Sequence, residues 1–327
     1  ILLNDNFQEL DGINLRCRIP EGVIPQASAL LVNGISVKML TQCNLSHYQM
    51  ISEIEKVFKK WTPAIFIGYS NINFDDEAIR KEFFKGLRYP YITNTGLNKR
   101  HDALNIVRAA YAVDNKIFKT ETNDKGNAVM KLESLARTNG IKTDGAHSAL
   151  FDANLTKLIL EKIYREQNIT WRSALMTASR NETESLLKKE KMFTLNEYFY
   201  GKSRLFLCCP LHPDFSIHPV YNWSLAFDLK NDVKPLLNLS ISELKVELKK
   251  SPKFVRIIRS NKAPIILHAD YGMKVEPYNI INPKLLTDRA ELILKNRAFA
   301  EKISTILREA AEEKQATSSQ EDITAEE

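Results

Sequence analysis

Hydrophobic positions along the chain change period several times, and each change marks an element. Ile13-Asn14-Leu15-Arg16-Cys17-Arg18-Ile19 alternates apolar and polar residues and stops at Pro20, which predicts a strand ended by proline. Leu31-Val32-Asn33-Gly34-Ile35 is a short apolar run broken by a turn signal. From Ser46 to Trp61 the apolar residues Ile51, Ile54, Val57, Phe58 and Trp61 form a helical stripe. Ala64-Ile65-Phe66-Ile67 is continuously apolar, the pattern of a strand buried on both faces. Helical periodicity returns over 75–87 and 102–113. A short helix is predicted from Lys131 to near Gly140, and a long one from Ala149 to Glu166 with Leu155, Leu158, Ile159, Leu160 and Ile163 on its stripe.

After residue 166 the character changes. A polar helical stretch runs to Lys191, followed by strand-like segments at 204–209, 223–229, 254–258 and 263–267 between turns rich in Pro, Asn and Asp. Residues 282–313 read as one or two amphipathic helices, and the polar, acidic end reads as a disordered tail. The pattern predicts an α/β chain in two domains: a mixed sheet flanked by helices over 1–166, then a β-rich domain with helices over 167–313, with a tail over 314–327.

Charge sharpens this division. The net charge is +6, yet residues 311–327 hold six acids and one base, a net of −5, which leaves +11 on the rest. A basic body suits a polyanionic partner, and equally a solvated basic surface. No apolar run approaches the roughly 20 residues needed to span a bilayer. Cys17, Cys43, Cys208 and Cys209 are neither spaced C-x-x-C nor flanked by histidines at zinc spacing, so they read as reduced thiols of a cytoplasmic protein.

Two segments carry candidate chemistry. In Gly68-Tyr69-Ser70-Asn71-Ile72-Asn73-Phe74-Asp75-Asp76-Glu77, Asp75 follows the buried strand by one loop and opens a helix. Asp75 or Asp76 there is an N-cap or a metal ligand. Asn71 and Phe74 just before the acid would order one loop and shape a pocket. In Gly145-Ala146-His147-Ser148-Ala149-Leu150-Phe151-Asp152, histidine and acid are five residues apart, about 140° around a helix. His147 then lies on the entering loop and Asp152 projects from the first turns, or the two are a surface histidine and an ordinary helix acid. Phosphodiester hydrolysis is what would unite them. Paired divalent cations stabilise the attacking and leaving oxygens. Hard cations such as Mg²⁺ take carboxylate ligands, and a histidine can accept the proton of the attacking water. Spacing alone supports an acid-based metal site and no more.

In order and wording these segments resemble the exonuclease I group of the DEDDh family of 3′→5′ exonucleases. The resemblance covers most of the chain. It includes Ile19-Pro20-Glu21-Gly22 to Val32-Asn33-Gly34-Ile35-Ser36, the Asp75 segment, Arg100-His101-Asp102-Ala103-Leu104, Leu132-Glu133-Ser134-Leu135, and the His147–Asp152 segment. Beyond them lie Leu225-Ala226-Phe227-Asp228-Leu229 and Pro235-Leu236-Leu237-Asn238-Leu239. These last resemble the group's SH3-like extension, which separates it from other proofreading-type nucleases, and the H-x4-D spacing separates it from relatives that use tyrosine.

The resemblance implies a ribonuclease H-like domain followed by an SH3-like domain. It implies Asp75 and Asp152 as metal ligands, His147 as general base, and Asn33, Gly34, Asn71 and Phe74 at the substrate end. The implied activity is release of mononucleotides from the 3′ end of single-stranded DNA in DNA repair, with two Mg²⁺ per intact site and Mn²⁺ as a substitute. The implied protein is a monomer that engages single-stranded DNA and the acidic C-terminal tail of single-stranded-DNA-binding protein, and no membrane. Two departures stand out. The family's D-x-E pair on its first strand does not occur ahead of Asp75, and its C-terminal helical region is not evident past about residue 310. The chain is therefore expected to be a fragment of a longer reading frame, inactive by itself and poorly folded in isolation. The competing readings are a catalytically dead single-strand binder and an RNA-directed DEDDh nuclease, the latter disfavoured by the second domain.

Overall fold

A computed structural model describes residues 1–143 and 149–325. The chain divides into two compact units, Ile1–Ala178 with Phe199–Lys202, and Ser179–Tyr198 with Ser203–Glu327. The division falls after Ala178, not at 166, because the stretch that follows 166 packs with the first unit. Thr170, Ala174 and Ala178 are buried there, and the Gln167 amide donates to the Ala110 carbonyl.

In unit 1, β1 (Leu2–Leu3) and β2 (Glu9–Asp11) form an antiparallel pair. Next come α1 (Ala27–Asn33), α2 (Val37–Thr41), α3 (His47–Trp61), β3 (Ile65–Gly68), α4 (Asp75–Lys85), β4 (Lys99–Asp102), α5 (Ala103–Val113), α6 (Leu132–Thr138), α7 (Ala149–Glu166) and α8 (Asn168–Leu175). The start of α3 shows why the helices begin where they do. Ser46 accepts from the Gln49 backbone while the Gln49 side chain accepts from the Ser46 backbone, so two orphan N–H groups are satisfied at once. The core lies around α5, whose Ala103, Ile106, Val107, Ala109 and Ala110 are all fully buried. Its alanines let α7 and α8 pack closely, with Leu155, Ile159 and Ile163 of α7 buried in turn.

Several expectations need correction here. One mixed sheet was expected; instead, β3 pairs in parallel with β4, Ile65 opposite Lys99 through Gly68 opposite Asp102, apart from the β1–β2 pair. With one partner strand among the described residues, β3 is half-buried rather than buried on both faces. Residues 13–19 do alternate in burial, but among the described residues they form no strand and make a single bridge, Cys17 to Leu45. The run at 31–35 is the end of α1, closed by Gly34 at φ 59°.

Unit 2 contains α9 (Arg180–Lys189), β5 (Phe193–Phe199), β6 (Lys202–Pro210), β7 (Ser224–Asp228), α10 (Lys234–Leu237), α11 (Ile241–Lys249), β8 (Val255–Ile258), β9 (Ile265–His268), α12 (Ala269–Met273), α13 (Pro283–Lys295) and α14 (Arg297–Ala325). Its five strands are ordered β8-β7-β6-β5-β9. Tyr200 and Gly201, both at positive φ, make the two-residue turn between β5 and β6. One face of the sheet buries Leu207, Cys209, Leu225 and Phe227 against Leu286, Ile293, Phe299 and Ile303 of α13 and α14. β5 escapes the sequence pattern because Asn196 and Glu197 interrupt its apolar run, and Glu197 is drawn in by an ion pair to Arg256 (2.9 Å).

The acidic end also departs from expectation. α14 continues to Ala325, so residues 314–325 are helical and not an unstructured tail. The packed first half, with Ile303, Ile306 and Ala311 buried, nucleates the helix. Residues such as Ala310, Ala311, Glu312, Glu313, Lys314 and Gln315 propagate it readily. Lys245 of α11 pairs with Glu309 (3.1 Å) and Glu313 (3.5 Å) along it. Among the described residues no helix is long and apolar enough to cross a membrane.

Candidate active site

β3 and β4 run in parallel and end together at Gly68 and Asp102, and the chain turns over these ends before entering α4. The carboxyl ends of parallel strands are where α/β proteins commonly place ligands. Ser70 takes a left-handed conformation, φ 64°, unusual for a residue with a Cβ. Two contacts hold it there. The Asp102 carboxylate accepts from the Ser70 N–H and the Leu104 N–H, each at 2.9 Å, so one side chain caps α5 and anchors the loop. Asn71 is buried to 5% exposure, and with its amide oriented nitrogen-inward it donates to the carbonyls of Gly68 (2.9 Å) and His101 (3.0 Å), tying the loop to both strand ends. Gly68 is needed for this approach, since a Cβ there would sit 2.8 Å from that of Asn71.

The adjacent acids Asp75 and Asp76 part company. Asp76 is 5% exposed and pairs with Arg100 at 2.9 Å, a structural ion pair inside unit 1. Neither acid is the N-cap; Phe74 holds that position without a side-chain cap bond, and both acids lie in the first turn of α4. Asp75 is on the exposed side. Its carboxyl is held above the usual carboxylate range, first by desolvation and then by the like charges of Asp76 and Asp102. A cation bound at Asp75 would relieve that crowding, and oxygen ligands suit a hard divalent ion. Phe74, 76% exposed, puts its ring in solvent beside Asp75.

The other expected residues lie on separate elements. Asp152 is half-buried in the first turn of α7, where a carboxylate is favoured by the helix dipole; α7 packs along α5, the helix that Asp102 caps. Asn33 ends α1 and donates back to the Ala29 carbonyl (2.8 Å), with Gly34 completing the turn. His147 lies outside the described residues. Among the described residues no group of three or more His, Cys, Asp or Glu side chains converges on a metal position. Asn71, Phe74 and Asp75 thus come together on one loop, with Asn71 as its fastener.

Asp102 is the residue the sequence pattern undervalues, because Arg100-His101-Asp102 reads only as a lead into a helix. Its signal is an Asp directly before an Ala-Leu helix start. His101 beside it cannot replace His147 as a base. It is fully buried, burial pushes its imidazole down to about 4, and its Nδ1 accepts from the Asp102 N–H (2.8 Å).

With this geometry in hand, comparison with known proteins is informative. No family model matches the chain. It is similar to exodeoxyribonuclease I along most of its length. It is 30% identical to that of Buchnera aphidicola subsp. Schizaphis graminum over 239 residues, 71% of this chain and 49% of the relative. It is 24% identical to that of Escherichia coli K12 over 310 residues, 90% of this chain and 64% of the relative. The chain therefore spans about half to two thirds of these two relatives. The fold matches E. coli exonuclease I in complex with a dA16 oligonucleotide, with TM-score 0.72, 22% identity, and coverage of 93% of this chain and 68% of that one. An ExoI/SSB-Ct complex matches with TM-score 0.69 at 22% identity, covering 94% and 68%.

Proposed function

We propose that this chain is part of a 3′→5′ exodeoxyribonuclease that removes mononucleotides from single-stranded DNA, with unit 1 as its ribonuclease H-like domain and unit 2 carrying an SH3-like fold. The observation that carries this reading is Asp75. It is an exposed carboxylate crowded by like charge, on a loop fastened at three points over the ends of two parallel strands. Asp75 and Asp152 would hold Mg²⁺, or Mn²⁺ in its place. Bound there, the ion would neutralise charge developing on the phosphate oxygens. The chain's own groups do the rest. Asp102 and Asn71 fix where Asp75 points, Phe74 offers an exposed ring to the terminal base, and His147 takes the proton of the attacking water. Asn33 and Gly34 would border the terminal nucleotide. Single-stranded DNA and the tail of single-stranded-DNA-binding protein are the proposed partners of a cytoplasmic monomer.

Two carboxylates are half of the usual set, and no D-x-E pair precedes Asp75. A second reading is a single-strand binder that does not cut. A 3′-labelled single strand incubated with Mg²⁺ separates the two. We expect this chain alone to bind the strand without releasing mononucleotides. Release should begin once a D-x-E-bearing strand from an exodeoxyribonuclease I relative is joined ahead of Ile1, and disappear again in Asp75→Asn and Asp152→Ala. Binding with no gain of release would leave the second reading standing. Release that survives both substitutions would sink the nuclease assignment of this site.

A further inference from the structure

In unit 2 the connection between β6 and β7 ends in a short loop, Ile217 to Trp223, that carries three aromatic rings. The loop is closed by the His218 N–H donating to the Trp223 carbonyl (2.7 Å) and the Asn222 N–H donating to the His218 carbonyl (3.1 Å), with Asn222 at φ 54°. His218 is 3% exposed, and its Nδ1 accepts from the Val220 N–H (3.2 Å) and the Tyr221 N–H (3.3 Å). From this fixed imidazole the rings climb outward. Tyr221 lies 4.8 Å from His218, and Trp223 stacks on Tyr221 at 4.7 Å with 27° between planes. The last rung is Arg259, whose guanidinium carbon lies 4.8 Å over the Trp223 ring.

The register explains the final contact. Ser224 of β7 faces Ile258 of β8, so the antiparallel ladder, continued one step, sets Trp223 opposite Arg259. The Ser224 and Ser260 hydroxyls, 3.3 Å apart, hold the two strand ends together, and Arg180 donates to the Asn222 carbonyl (3.2 Å).

Arg259 is treated unlike its neighbours. Arg256, three residues earlier, is buried between Asp228 and Glu197. Arg180 is paired with Glu184. Arg259 is exposed, and among the described residues its guanidinium meets no carboxylate and no hydrogen-bond acceptor. A guanidinium held over an indole face can still donate from its N–H groups to an anion. That is a preorganised receptor for a phosphodiester with a base beside it, because those groups match phosphate oxygens and a guanidinium plane can stack.

We propose that the His218–Tyr221–Trp223–Arg259 ladder is a contact for single-stranded DNA on unit 2, with Arg259 meeting a backbone phosphate and the base next to it. This rests on the nuclease reading for its ligand and on the ladder for its place. Binding of a 5′-labelled oligo-dT to the full chain, measured by fluorescence anisotropy in EDTA across a salt series, tests it without any cleavage. Arg259→Ala should weaken binding roughly five- to tenfold, the low end for loss of one base-stacking side chain. It should also reduce the slope of log affinity against log salt by about 0.7, one phosphate contact. Arg259→Lys should keep the slope and lose part of the affinity. Trp223→Phe should abolish most of the change in tryptophan emission on binding, since Trp61 and Trp171 remain. An Arg259→Ala chain of unchanged melting temperature, with wild-type affinity and slope, overturns the ladder as a contact and leaves the nuclease reading intact. A wild-type chain that binds no single strand overturns both.

Discussion

Asp228 in unit 2 and Asp75 in unit 1 each lie at an end of a short strand or the loop that follows one, and their surroundings are opposite. Asp228 has no exposed surface. It accepts from the Tyr278 hydroxyl at 2.6 Å and from Arg256 at 3.0 Å, with Lys230 at 3.6 Å. Arg256 in turn reaches Glu197 and lies 3.7 Å over the Phe206 ring. Negative charge there is matched by cations within the fold. Around Asp75 the match is incomplete. Arg100 takes Asp76, backbone N–H groups take Asp102, and Asp75 stands beside both, its carboxyl raised by desolvation and by their like charge. A buried acid with all partners supplied serves the fold, whereas an exposed acid left among like charges is a place for something the chain does not itself provide.

The sharpest way to break this contrast is to remove each acid. Asp228→Ala leaves Arg256 buried and short of a partner, so urea unfolding should show a loss of about 3–5 kcal/mol. Asp75→Asn should stay within about 0.5 kcal/mol of wild type, as for an exposed position. Equal losses would erase the distinction. Next in size is Gly68→Ala. A methyl 2.8 Å from the Asn71 Cβ must push that fastener aside, at a cost of about 1–3 kcal/mol. An unperturbed melt would show the loop is not held as described.

A pH series probes the same strand ends. His101 titrates near 4 in the folded chain and near 6.5 when unfolded, so the unfolded state binds the extra proton between those values. Its contribution is intact above about 6.5, and stability should fall as pH drops from there toward 4. Chemical denaturation at several pH values, with His101 followed by its imidazole NMR signals, checks this. A ring titrating near its ordinary value would place it outside the core. The smallest expected effect is Phe74→Ala: no change in melting temperature, because the ring is exposed, but weaker binding of an oligonucleotide 3′ end. A lower melting temperature would instead make Phe74 part of the packing.

How far the sequence reached follows from these same residues. Periodicity located α3, α4, α5 and α7, each of which buries apolar residues on one side, and α7 ends at Glu166 as expected. Patterning failed where a strand's neighbours matter. Residues 13–19 alternate as a strand would but make a single bridge, Cys17 to Leu45, among the described residues, while β5 carries a half-buried Glu197 that makes sense only once Arg256 pairs with it. At the site, the motif pointed to Asp75 and Asp152 as chemistry, but it could not separate Asp75 from Asp76 or assign Asn71 to fastening the loop. Those roles depend on Arg100 and Asp102, which are distant in sequence and meet the Asp75 loop only across the β3–β4 pair.

The most direct test of the contrast is Mn²⁺ titration of the chain with carboxyl-carbon labelling of its aspartates, read as paramagnetic broadening residue by residue. The account predicts that the Asp75 signal broadens first, at Mn²⁺ levels that leave Asp228 and Asp76 sharp, and that Mg²⁺ restores it by competition. Broadening that spares Asp75, or that falls equally on Asp75 and Asp228, would contradict it.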